Sequence, residues 1–199
     1  MIAVIDYGVG NLFSVSKAVE AVGATVEVTG DADRIRAADK LILPGVGAFG
    51  DCMKNLRAAC LDGVIVEEIS KGKPLMGICV GLQILFEGSE ESPNVSGLGV
   101  FKGLVRRIRA EGLKIPHMGW NFIGTSDGMF EGVGERPYFY FVHSYHAVPE
   151  DRSITVATTD YGERLTAAVA RDNIFAVQFH PEKSGDVGLQ VLKNFVWRD

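Results

Sequence analysis

The segment Pro74-Leu75-Met76-Gly77-Ile78-Cys79-Val80-Gly81-Leu82-Gln83-Ile84-Leu85-Phe86 decides how the rest of the chain is read. A short apolar run bounded by turn residues fits a strand buried on both faces, and a second apolar stretch follows directly. Between them stands Cys79, with Gly77 and Gly81 on either side. This is the pattern of a nucleophile elbow, a strained strand-to-helix turn in which neighbouring side chains would collide. Such a turn presents the sulfur at a helix start. There, unpaired N–H groups and the positive end of the helix dipole favour thiolate, the form that attacks carbon. A free cysteine is also often a buried packing residue, and the pentapeptide alone leaves both readings open.

Near the C-terminus, Phe175-Ala176-Val177-Gln178-Phe179 reads as another strand and ends in His180-Pro181-Glu182-Lys183. Pro181 biases His180 towards extended backbone and cannot join a central ladder, so the histidine is expected at a strand end. Positions two apart in an extended chain share a face, which predicts the His180 imidazole beside the Glu182 carboxylate. A carboxylate on one ring nitrogen fixes the tautomer and supports the imidazolium formed when the other nitrogen takes the thiol proton. By themselves His180 and Glu182 also fit a polar loop capping the last helix. Paired with the elbow, they fit the base and orienting acid of a cysteine protease, amidase or amidotransferase.

The surrounding chain supplies a matching framework. Ile2 to Asp6 reads as a strand entering a tight turn at Tyr7-Gly8-Val9-Gly10-Asn11, followed by helical spacing of Leu12, Val15, Val19 and Val22 up to Gly23. Strands are expected at Thr25 to Thr29, at Lys40 to Leu43 and at Pro74 to Ile78. One or two helices carry Met53, Leu56, Cys60, Leu61, Val64, Ile65 and Ile69 between the last two. Strands alternating with helices imply a parallel sheet covered on both faces. From about residue 98 the pattern becomes strand-rich, with runs near Val100, Leu104 to Ile108, Tyr138 to Val142, Ile154 to Thr158, Thr166 to Ala170 and Ile174 to Phe179. These either extend the first sheet or form a smaller antiparallel sheet beside it. A helix through Val187, Leu189, Val191, Leu192, Phe195 and Val196 closes the chain.

Composition excludes several function classes. The 199 residues, 47% hydrophobic, suffice for one domain (1–199) with a sizeable core. A net charge of −5 with no basic block argues against a nucleic-acid partner. Three cysteines, Cys52, Cys60 and Cys79, are an odd number that speaks against a disulfide framework and for a reducing, cytoplasmic setting. No run approaches the roughly 18 apolar residues of a membrane helix, and no signal peptide is expected.

Competing motifs are weaker. Gly45-Val46-Gly47-Ala48-Phe49-Gly50 matches a dinucleotide fingerprint, but it follows a later strand, and the acidic Glu67 falls in a helix rather than at a second strand end. The same glycines suit an oxyanion hole, with the N–H of Val80 as second donor. His143 and His146, three apart in a strand, would point to opposite faces and not converge on a metal. His143 ranks behind His180 as base because it lacks an acidic neighbour. Cys52 and Cys60, on one helix face, read as core residues. Gln83, one turn past Cys79, could turn its amide to a substrate.

Taken together, the chain resembles the triad (class I) glutamine amidotransferases, whose elbow, glycine-rich oxyanion strand and terminal His-Pro-Glu occur here in the same order. Within that family it is similar to the glutaminase subunits of imidazole glycerol phosphate synthases. That likeness is carried by Asp6-Tyr7-Gly8-Val9-Gly10-Asn11, Leu43 to Gly50, Gly77 to Gln83, Pro116-His117-Met118-Gly119-Trp120-Asn121, Tyr140 to Tyr145 and Gln178 to Ser184. Val80 stands where the family leads us to expect Leu, at a position that donates through its backbone. The resemblance implies an α/β, flavodoxin-like three-layer sandwich with a mainly parallel central sheet and extra antiparallel strands in the second half. It implies Cys79 as nucleophile, His180 as general base and then acid, Glu182 as orienting carboxylate, and Gly47 and Val80 around the oxyanion. Gln83, Glu91, Ser144 and Tyr145 would hold the amino-acid end of L-glutamine, and Trp120, Asn121 and Lys183 would face a (β/α)₈ cyclase subunit in a heterodimer. No cofactor or metal is implied.

With no P-loop or spare domain to bind an ammonia acceptor, the acceptor site is expected on another chain. The Gly45-Val46-Gly47 loop is flexible enough for a peptide flip that misdirects an oxyanion donor until the cyclase binds its ligand. Two other readings remain at this stage: a glutaminase subunit of a different synthase, such as a pyridoxal phosphate or nucleotide-pathway enzyme, and an inactive doubly wound scaffold.

Overall fold

The computed structural model describes residues 1–198. Its first part alternates β1 (Ile2–Ile5), α1 (Leu12–Ala21), β2 (Val26–Thr29), α2 (Ala32–Ala37), β3 (Lys40–Gly45), α3 (Phe49–Ala58), α4 (Asp62–Ser70), β4 (Leu75–Cys79) and the single-turn α5 (Val80–Gln83). The remainder is strand-rich: β5 (Gly88–Ser89), β6 (Gly103–Arg107), β7 (His117–Phe122), β8 (Gly124–Thr125), β9 (Tyr138–His143), β10 (Tyr145–Pro149), β11 (Thr155–Tyr161), β12 (Glu163–Arg171) and β13 (Ile174–Val177). It closes with α6 (Gly185–Trp197).

The main sheet has eight strands in the order β2-β1-β3-β4-β13-β12-β11-β8. Its first five strands run parallel, and β12, β11 and β8 continue it antiparallel. Every residue of β1, β4 and β13 is buried, as strands covered on both faces require. Helix α1 packs against α6, while α4 contacts α2 and α3. The second half takes both arrangements left open by the sequence. It extends the main sheet, and beside it builds a three-stranded sheet, β10-β6-β5, and a two-stranded ribbon, β7-β9. No helix among the described residues is long and apolar enough to cross a membrane.

Two local expectations are corrected and one helix is added. The segment from Met53 to Ile69 forms two helices, and Cys60 lies between them with φ +57 and an exposed side chain. Cys60 therefore shares no buried face with Cys52, which is in the core. Val100 falls in a bend outside any strand. Helix α2, which the pattern did not suggest, is short and buries only Ile35; the Asp31 carboxylate caps it by accepting the Asp33 and Arg34 N–H groups.

Candidate active site

Three adjacent parallel strands converge on Cys79. It is the last residue of β4, flanked by β3 and β13, and it sits at φ +57, ψ −111. That strain is held by close backbone crossings. A Cβ on Gly81 would lie 1.9 Å from the Leu43 carbonyl oxygen, one on Gly45 would lie 2.6 Å from the Gly81 nitrogen, and one on Gly77 would lie 2.9 Å from the Gly81 oxygen. The glycines serve strand-to-helix contact as much as the turn itself. Val80 opens α5 directly after Cys79, so its N–H is among those with no partner inside the helix.

His180 follows β13. Its N–H donates to the Tyr140 carbonyl at 3.0 Å, and its own carbonyl accepts from the Ser184 hydroxyl at 2.6 Å. Its Nδ1 lies 2.9 Å from Glu182 Oε1, with the two side chains only 3% and 1% exposed. The carboxylate accepts from Nδ1, leaving Nε2 for the thiol. The route differs from the expected shared strand face, because Pro181–Lys183 form a 3₁₀ turn that swings Glu182 back onto the ring. Burial alone would lower the His180 pKa, but hydrogen bonds to Cys79 and Glu182 and the charges of both raise it to about 10. The raise favours the protonated ring between sulfur and carboxylate, against the pull of burial.

Gly47 and Val80 line, with Cys79 and His180, a cavity of about 290 Å³. Two buried groups tether the end of β3 and the loop that follows it. The Tyr7 hydroxyl donates to the Pro44 carbonyl at 2.6 Å, and Cys52 Sγ lies 3.3 Å from the Val46 carbonyl. Burial pushes the Cys52 thiol up to about 11, so it keeps its proton and acts as donor.

Gln83, Glu91, Ser144 and Tyr145 line the same cavity. Glu91 also caps α3: its Oε2 accepts the Phe49 N–H at 2.8 Å, beside the Ser92 hydroxyl on the Gly50 N–H, where Ala48 offers no side-chain cap. The Gln83 amide faces inward, donating to the Tyr145 carbonyl and to Gln178 Oε1, both at 3.0 Å. Gln178 Nε2 in turn points at Cys79 Sγ, 3.7 Å away. Sequence reasoning gave Gln178 no role. Its place next to the terminal histidine strand was the available signal.

His143 lines the cavity too, yet both its nitrogens are engaged elsewhere. Nδ1 is 2.8 Å from the Tyr145 carbonyl and Nε2 is 2.9 Å from His117 Nδ1, while burial lowers its pKa to about 3. At the surface, Trp120 and Lys183 are exposed around Tyr140, with the Lys183 ammonium 6.0 Å from that ring. Asn121 instead turns its amide inward, donating to His117 and to the Asp160 carbonyl.

The sequence model of the family described as glutamine amidotransferase class-I matches residues 3–198. The chain belongs to this family. Among curated relatives of this amidotransferase are proteins named imidazole glycerol phosphate synthase subunit HisH. That of Thermococcus kodakarensis is 52% identical over 202 residues, covering 98% of each chain. That of Aquifex aeolicus is 52% identical over 195 residues, covering 96% of this chain and 94% of the relative. Solved structures agree in fold. One titled crystal structure of glutamine amidotransferase has a TM-score of 0.77 at 20% identity over 98% of this chain and all of that one (100%). PurLQS from Thermotoga maritima has 0.76 at 24% identity, over 98% of this chain and 96% of that one.

Proposed function

We propose that residues 1–199 of this amidotransferase form a single domain acting as the glutaminase subunit of an imidazole glycerol phosphate synthase. The observation that carries the reading is the set Cys79, His180 and Glu182, with Cys79 and His180 opening on a cavity of about 290 Å³, in a chain 52% identical to a HisH subunit over 98% of its length. The chemistry follows from the atoms present. The Cys79 thiolate adds to the side-chain amide carbon of L-glutamine, and the oxyanion is met by backbone N–H groups of Val80 and of the loop at Gly47. His180 gives its proton to the departing nitrogen, which leaves as ammonia, and a glutamyl thioester remains. His180 then takes a proton from water attacking the thioester. The sulfur leaves with its electron pair, and glutamate is released. Gln83, Glu91, Ser144 and Tyr145 hold the amino-acid end of the substrate.

Ammonia is largely protonated near neutral pH, so it is useful only if delivered through a dry interface. The receiving chain is a (β/α)₈ cyclase, which joins the ammonia to a phosphoribulosyl-formimino carboxamide ribonucleotide. Imidazole glycerol phosphate and aminoimidazole carboxamide ribonucleotide result. Support for a partner comes from the ribbon β7-β9, whose outer face exposes Met118, Trp120 and Tyr138. Lys183 stands beside them. A cytoplasmic location accompanies this role.

Glutamate release from glutamine tests the proposal, measured with and without the cyclase and its nucleotide ligand. Release is expected to rise with the liganded cyclase and to fall at least about a thousandfold in Cys79→Ala. No release under any condition would overturn the reading.

A further inference from the structure

The inner face of the ribbon β7-β9 carries a hydrogen-bond chain whose every proton can be assigned. His117 and His143 are cross-strand partners, so their imidazoles meet at 2.9 Å inside the molecule. A carbonyl can only accept, so His143 Nδ1, at 2.8 Å from the Tyr145 oxygen, carries the hydrogen. His143 Nε2 then accepts, and His117 Nδ1 must be the donor. His117 Nε2 in turn accepts from Asn121 Nδ2 at 3.2 Å, an orientation independently fixed by Asn121 Oδ1 accepting the Phe122 N–H. Burial lowers both imidazole pKa values, to about 4 for His117 and about 3 for His143, so both rings are neutral as this pattern requires. His117 is also clamped in its plane, stacked on Tyr161 at 4.2 Å and on Phe141 at 4.8 Å between centroids.

The chain ends at the substrate cavity. The Tyr145 carbonyl accepts from both His143 and Gln83, and the second Gln83 hydrogen goes to Gln178, the residue pointing at the Cys79 sulfur. Each hydrogen in this array has an acceptor, with the Gln83 and Asn121 amides each giving two, so the loss of one donor breaks the set. If His117 ceases to donate, His143 either keeps a buried Nε2 without a donor or moves its proton there and turns a lone pair on the Tyr145 carbonyl. Either result displaces the 143–145 wall of the cavity.

We propose that His117, which does not line the cavity, is a positioning residue for glutamine: its Nδ1–H fixes the His143 tautomer that holds the Tyr145 carbonyl and Gln83 in place. The role rests on the glutaminase reading above. Loss of the donor is expected to weaken glutamine binding more than chemistry at the bound amide.

The test compares native protein, His117→Phe and His117→Asn at saturating cyclase with its nucleotide ligand. Phenylalanine keeps the stack and removes the donor; asparagine restores an N–H near the Nδ1 position. His117→Phe is expected to raise KM for glutamine about tenfold with kcat within about threefold, and His117→Asn to return KM to within about twofold of native. A native KM in His117→Phe, or equal impairment in both variants, overturns the proposal and leaves His117 as packing. In the native protein with ¹⁵N-labelled imidazoles, resonances showing the protons on Nδ1 of both His117 and His143 support it whether or not the variants fold, and a proton on His143 Nε2 overturns it. An inactive native complex would instead overturn the glutaminase reading itself, and with it this role.

Discussion

The ends of β3, β4 and β13 and the ribbon β7-β9 meet at one cavity but are built on opposite terms. The parallel strands are buried on both sides, and their backbones approach so closely that glycine is required at Gly45, Gly77 and Gly81. The ribbon has only two strands. One face buries His117, Phe139, Phe141 and His143, while the other leaves Met118 at 61% and Trp120 at 56% exposure. The first region holds Cys79 at φ +57 because the backbones around it are packed too closely to give way easily. The second exposes an apolar face to solvent while β9 carries Val142 and His143 to the wall of the cavity. His180 is tied to both, since it follows β13 and pins its N–H on Tyr140 of β9.

The sharpest way to break this contrast is Gly81→Ala. Its Cβ would sit 1.9 Å from a backbone oxygen of β3, so β3 and α5 must separate. We expect a stability loss of about 4 kcal/mol or more, read as a lower urea midpoint, and loss of glutaminase activity even where the protein remains folded. A midpoint close to native would show that the strand ends yield, and the rigid half of the comparison would fail.

The two tryptophans test the surface half. Trp120 and Trp197 are similarly exposed, at 56% and 60%, but Trp197 lies on α6 with its indole N–H on the Val22 carbonyl, away from the ribbon. Trp120→Ala should weaken cyclase binding by about 2 kcal/mol, roughly thirtyfold in Kd by titration calorimetry. Trp197→Ala should leave that Kd unchanged. Equal effects, or none from Trp120, would remove the ribbon as the docking face.

The same contrast explains what the sequence allowed to be read. Cys79, His180 and Glu182 announce themselves through nearby residues in the chain: glycines two positions either side of Cys79, needed for close backbone contact, and Pro181 between His180 and Glu182. The alternation of strands and helices was legible for the same reason. The His117–His143 pair was not, because it depends on β7 pairing with β9 in a particular register, and the intervening sequence does not fix that register. The inward amides of Asn121 and Gln178 share this origin: an amide's orientation is set by partners far away in sequence. Cys60 misled because apolar spacing continued past the end of α3, where the backbone had already turned to φ +57. Glu182 was correctly paired with His180 through the wrong geometry, since the spacing that suits a strand face also suits a 3₁₀ turn opened by proline.

A smaller effect is expected beneath the oxyanion loop, where the rigid region would also have to move. If the Val46–Gly47 peptide turns over when the cyclase is liganded, its carbonyl must first leave Cys52, whose thiol donates to it at 3.3 Å. Gly47, at φ +83 with nothing within 4 Å of a Cβ position, does not itself oppose rotation. Cys52→Ala removes the donor while leaving Tyr7 on the Pro44 carbonyl, so the hinge is released on one side only. A neutral hydrogen bond of this kind contributes about 1 kcal/mol, equivalent to roughly a fivefold shift in a two-state equilibrium. Glutamate release without the cyclase should rise by up to about that factor, and the stimulation by liganded cyclase should shrink in proportion. An unchanged partner-free rate would place the resistance to turning elsewhere, and the strand ends would then hold the nucleophile without also gating the oxyanion hole.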